Sequence, residues 1–99
     1  MDWQYTWSGK CIGYKDGADL WSLDGNHIGK FYRDEIYAPD GGYIGEIHGD
    51  RLITRKNKKS KKKSTFSPKS KKSKKTKMVG YVGYVMLTGY EDFPVIEND

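Results

Sequence analysis

A chain of 99 residues with a single cysteine has room for one domain and cannot form an intrachain disulfide. Hydrophobic residues make up 35% and charged residues 31%, and no apolar run approaches the ~18 residues that a membrane-spanning helix needs. The formal charge of +5 hides a segregation: Arg55 and twelve lysines lie between positions 55 and 77 with no acid among them, whereas the rest of the chain carries all 13 acids against five bases.

That asymmetry predicts a basic segment carried on an acidic body. The N-terminal residues Met1-Asp2-Trp3-Gln4 show neither a basic n-region nor an apolar h-region, so the expectation is a soluble, cytoplasmic protein without a signal peptide.

Taken in chain order, the first unit has Tyr5, a turn at Ser8-Gly9, then Cys11-Ile12-Gly13, a second turn at Gly17-Ala18, and Leu20. Sixteen residues on, the same series reads Trp21, Asp24-Gly25, His27-Ile28-Gly29, Arg33-Asp34 and Ile36. It recurs as Tyr37, Asp40-Gly41, Tyr43-Ile44-Gly45, Gly49-Asp50 and Leu52. Asp-Gly between short β-prone runs is a hairpin signal, because the turn requires positive φ. The spacing predicts Leu20 opposite Gly29 and Phe31 opposite Ile36, with Trp21 opposite Ile28, Tyr37 opposite Ile44 and Tyr5 opposite Ile12. Ile47/Leu52 and Lys15/Leu20 are the equivalents of Phe31/Ile36.

A fourth unit begins on schedule at Ile53, with Asn57 at the turn-glycine position, and then breaks. Register returns at Met78-Val79-Gly80 and runs to Leu87, which predicts Ile53 opposite Val79 and Val82 opposite Leu87. Removing 58–76 restores the repeat. The tail, with Tyr90, Phe93, Val95 and Ile96, is expected to cap the body or to pair with Trp3-Gln4-Tyr5. The fold class is therefore all-β: four 16-residue β-hairpin repeats about a pseudo-fourfold axis, one domain over 1–99, with a low-complexity insertion at about 58–76.

These tandem units with Asp-Gly-x-x-Ile-Gly resemble the small bacterial domains called 4-fold β-flower proteins, over Tyr5 to Leu87 apart from the insertion. The resemblance implies a four-hairpin β fold and carries no catalytic residues to transfer. The lysine insertion departs from its regular pattern.

Reactive groups are few. Cys11, His27, Tyr43 and Met78 share one repeat position and would form a ring in a pseudo-fourfold fold. No CxxC, HxH or HExxH spacing accompanies them, so neither a metal site nor a cofactor is expected. Asp24 and Asp40 precede turn glycines and are explained as turn residues. No nucleophile–base pairing or phosphate-cradling loop is present, and the expectation is a noncatalytic protein. Trp3, Tyr5 and Trp7 alternate on one strand face and are expected to pack rather than to stack on bases.

The insertion is too polar and too self-repelling to build a core, so composition predicts a disordered loop. Dense lysine without arginine reads as a nonspecific polyanion contact. The candidate nucleic-acid-binding residues are Lys58, Lys59, Lys61, Lys62, Lys63, Lys69, Lys71, Lys72, Lys74 and Lys75. An anionic membrane surface, a passive solubilising loop, and a protein-interaction module using the aromatic-rich acidic body are the competing readings.

Overall fold

The computed structural model describes residues 2–76 and 79–94. Eight strands form one antiparallel sheet in sequential order: β1 (Asp2–Tyr5), β2 (Cys11–Asp16), β3 (Asp19–Ser22), β4 (His27–Tyr32), β5 (Glu35–Tyr37), β6 (Tyr43–His48), β7 (Arg51–Arg55) and β8 (Tyr90–Asp92). A single 3-10 turn, Lys56–Lys58, follows β7, and no α-helix occurs among the described residues. The sheet curls until β1 lies beside β7, where Thr6 bridges Leu52 in parallel register.

The repeat is visible bond by bond. The Gly25 N–H donates to Ser22 O at 3.0 Å and the Ser22 N–H to Asn26 O at 2.9 Å. Gly9/Thr6/Lys10 and Gly41/Ala38/Gly42 make the same two bonds. In a sequential meander these three turns, and the β7–β8 connection, all fall at one end of the sheet. We call that end the rim.

Leu20 pairs with Gly29, Phe31 with Ile36, Ile47 with Leu52, and Lys15 with Leu20, as the spacing predicts. One residue later the register differs. A bulge sits between Leu20 and Trp21, between Ile36 and Tyr37, and between Gln4 and Tyr5. Trp21 therefore faces His27 rather than Ile28, Tyr37 faces Tyr43 rather than Ile44, and Tyr5 faces Cys11 rather than Ile12. An extra residue on one strand sharpens twist and bends the ribbon, which is how such short hairpins curl the sheet.

Adjacent strand residues point to opposite faces. Leu20, Ile36 and Leu52, sixteen apart, lie in the core cluster with Ile12, Ile28, Phe31 and Phe93. Their neighbours Asp19/Trp21, Glu35/Tyr37 and Arg51/Ile53 lie on the other face. Trp21, Tyr37 and Ile53 are nevertheless buried, so that face is covered too.

The fourth unit departs from expectation. β7 pairs with β8, setting Ile53 opposite Asp92, Thr54 opposite Glu91 and Arg55 opposite Tyr90. Val79 and Val82 are 87% exposed, so neither joins the column assigned to it by spacing. Among the tail's described residues, Tyr90–Asp92 pairs with β7 rather than with Trp3–Tyr5. Phe93 is 1% exposed and packs where only a glycine leaves room: a Cβ at Gly45 would fall 2.4 Å from the Phe93 ring. Phe93 thus satisfies the core more fully than the short valines could, and that accounts for the strand that wins. Met78, Val95 and Ile96 lie outside the described residues. Truncating Phe93 to alanine opens a cavity over Gly45, and we expect Phe93→Ala to cost about 3 kcal/mol in urea unfolding. A loss below ~1 kcal/mol would mean Phe93 does not hold the core closed.

Candidate functional site: a lysine strap on an acidic face

Lysine composition predicts a segment free of the body. The structure instead lays 59–76, without helix or strand, along the rim, and continues it through 79–88. The Lys63 N–H donates to Gly41 O, the Lys72 N–H to Gly25 O and the Tyr81 N–H to Gly9 O, each at 2.8 Å. Three residues further in each case, Phe66 donates to Pro39 O, Lys75 to Leu23 O and Tyr84 to Trp7 O. The strap leaves the fourth rim turn, visits the third, second and first in that order, and ends where the Lys56 N–H donates to Gly89 O at 2.9 Å.

Side chains follow the same order. On the non-core face, positions 19, 35 and 51 are Asp, Glu and Arg. Lys69 Nζ lies 2.6 Å from Asp19, and Lys58 and Lys61 Nζ lie 2.8 and 3.1 Å from Glu35. Where the body presents Arg51, the strap presents tyrosine: the guanidinium lies 4.1 Å from the Tyr84 ring centroid and 5.7 Å from that of Tyr81. Cation–π contact replaces the ion pair when the sign of the body's residue changes. Lysine ammonium groups also sit over the aromatic rings of this face, Lys72 over Trp21 at 4.3 Å, Lys63 over Tyr37 at 5.3 Å and Lys75 over Tyr14 at 5.7 Å.

His27 joins strap and body. Its Nδ1 accepts the Lys69 N–H at 2.9 Å, so that nitrogen carries no proton in this arrangement. Asp19 Oδ1 lies 2.9 Å from Nε2 but off the line of an N–H there, so the pair is an electrostatic contact rather than a well-aligned hydrogen bond. The ring stacks on Trp21 at 5.0 Å and meets Phe66 of the strap at 5.3 Å. Burial pulls the Asp19 carboxyl upward, yet Lys69 and His27 outweigh it and hold it below the usual range. Lys69 also separates two open grooves, one against Trp21 and Phe31 and one against Ala38 and Pro39.

Of the ten lysines singled out by sequence, Lys58, Lys59, Lys61, Lys69, Lys72 and Lys74 face carboxylates: Glu35 and Glu46, Glu91, Glu35, Asp19, Asp16, and Asp24 at a loose 3.9 Å. Lys62, Lys63, Lys71 and Lys75 have no carboxylate partner among the described residues. The other candidates stay apart. Buried Cys11 donates to Gly13 O, and burial pushes its thiol up. Tyr43 Oη donates to Glu46 and accepts the Arg55 N–H. His48 sits beside Trp7 and Tyr90. Among the described residues no three His, Cys, Asp or Glu side chains gather as metal ligands. Among the described residues no helix is long and apolar enough to cross a membrane. Arg51 and the acids at 19 and 35 were missed by sequence reasoning, although their sixteen-residue spacing was there to be read.

A family model described as 4-fold beta flower protein matches residues 1–85. Searches of the curated proteins and of the solved structures return no match.

Two predictions test the docking. A Cβ at Gly25 (φ +86°) would lie 2.0 Å from Lys72 O, whereas one at Gly17 (φ +61°) would meet nothing within 4 Å. Both alanine variants carry left-handed backbone strain of ~1 kcal/mol or more, but only Gly25→Ala should also speed amide exchange at Lys72. Equal exchange in the two variants would contradict the rim contact.

The second prediction concerns acid. Hydrogen bonds from Lys58, against an opposing pull from burial, and from Lys61 lower the Glu35 carboxyl from 4.5 to about 2. A depressed carboxylate stabilises the docked state above its unfolded value, so this attachment is complete above pH 4.5 and is lost as pH falls through about 2. The carboxyl carbon shift of Glu35 should titrate near that lower value, and should move up toward 4.5 in a chain carrying Lys58→Ser and Lys61→Ser.

Proposed function

The chain belongs to the 4-fold beta flower protein family, and on that scaffold we propose a noncatalytic, intracellular module that attaches to nucleic acid, without sequence preference, through its lysine strap. One observation carries this reading: the strap's ammonium groups remain available on an extended chain. Lys62 and Lys71 are exposed, with no carboxylate partner among the described residues. Paired Lys59, Lys69 and Lys74 side chains are still 57%, 60% and 76% exposed.

Ion pairs at such exposure are individually weak and screened by salt, so a row of phosphates can compete for the same lysines. Lysine is a hydrated point charge without the planar fork that reads guanine, which favours phosphate contact over base readout. Counterion release then sets the affinity.

Binding of duplex DNA and of RNA at two salt concentrations tests the reading. In a chain carrying Lys62→Ser, Lys71→Ser and Lys74→Ser, affinity should fall and the slope of log K against log salt should become shallower by roughly 2–3, at roughly 0.7–0.9 for each phosphate no longer neutralised. Unchanged affinity and slope in this variant would sink the proposal. A second reading, a protein-interaction module, draws support from the ordered row of strap amides on rim carbonyls, a mode by which extended peptides dock.

A further inference from the structure

We propose that the non-core face of β3 and β5, with its rim carbonyls, is a binding site for an extended lysine-rich peptide segment of another chain, and that the strap occupies this site in cis. The site is more than a cluster of acids. It offers backbone acceptors at fixed places, Gly41 O for the Lys63 N–H and Gly25 O for the Lys72 N–H, nine residues apart along the strap. Between them His27 Nδ1 accepts a third amide, that of Lys69. Glu35, Asp19 and Asp16 take the ammonium groups of Lys61, Lys69 and Lys72.

An aromatic residue is specified as well. Phe66 sits between the His27 ring and the Lys30 ammonium, which lies 4.7 Å from its centroid. The ligand the site describes is therefore an extended dodecamer, basic at both ends with one aromatic near its middle, as in 61–72. Main-chain bonds to an extended segment supply affinity, and the side-chain contacts supply register.

The cis segment has the advantage of tethering, because its effective concentration is high. It is held mostly by solvent-exposed pairs, so a partner in trans enters when the strap is drawn away. That opening step rests on the nucleic-acid reading above; the site itself does not.

The test needs no nucleic acid, so its failure and the failure of that reading are distinguishable. Residues 59–76 are replaced by a glycine–serine segment of equal length, and folding is checked by circular dichroism. A fluorescent peptide of sequence 61–72 is then titrated by anisotropy. It should bind the replaced chain at least tenfold more tightly than it binds the intact chain. A scrambled peptide of identical composition, and the native peptide against a replaced chain carrying Asp19→Asn and Glu35→Gln, should each bind at least tenfold more weakly. Equal binding of native and scrambled peptides overturns the proposal, as does absence of binding to a folded replaced chain. Should the replaced chain not fold, the intact chain carrying Lys69→Glu and Lys72→Glu loosens its own strap and leaves the body unaltered. It should take up the peptide more tightly than wild type, and no gain there equally overturns the proposal.

Discussion

A curled sheet has two faces, and it can close on itself with only one of them. In this protein the concave side is filled by Leu20, Ile36, Leu52 and Phe93. The opposite side still carries Tyr14, Trp21 and Tyr37, aromatic surfaces that a second layer of structure would ordinarily cover. No helix or second sheet does so among the described residues. Lysine stems and ammonium groups cover it instead, which is why a segment so rich in charge can lie against a folded body.

The charge segregation takes on a different meaning in this light. Read along the chain, the lysines are a block that repels itself. Read in space, they are interleaved with Asp16, Asp19, Glu35 and Glu46. The change from lysine to Gly80-Tyr81 and Gly83-Tyr84 coincides with the change from acid to Arg51 on the body. A strap selected only for solubility or bulk charge would have no reason to alter its chemistry at that point. The nucleic-acid contact proposed for the strap would draw in part on ammonium groups that also hold it to the body, Lys69 and Lys74 among them.

Much of the body was legible in the sequence, because turn chemistry and core periodicity leave marks in residue identity. Gly9, Gly25 and Gly41 located the rim turns, and Leu20, Ile36 and Leu52 located the core face. The bulges left no such mark. The residue left unpaired at each bulge is an isoleucine, Ile12, Ile28 or Ile44, which reads as an ordinary strand residue, so pairing by simple counting ran one residue out at Tyr5, Trp21 and Tyr37. Val79-Gly80 imitates Ile44-Gly45 closely enough to suggest a fourth hairpin, and only the packing of Phe93 over Gly45 decides against it. The docked strap was invisible for a further reason: its partners are long-range carboxylates and carbonyls, and composition describes a segment without describing what lies beside it.

The strap's amide contacts advance by nine residues, at 63, 72 and 81, while the turns that receive them advance by sixteen, at 41, 25 and 9. Two periods are therefore geared together around one circumference. An insertion or deletion of one or two residues within the strap would throw every later contact out of mesh, whereas a change of nine accompanies a whole repeat. Length in this segment should accordingly vary among related chains in steps rather than continuously, a behaviour opposite to that of an ordinary surface loop, and one that would let the strap be identified where its lysines have been replaced.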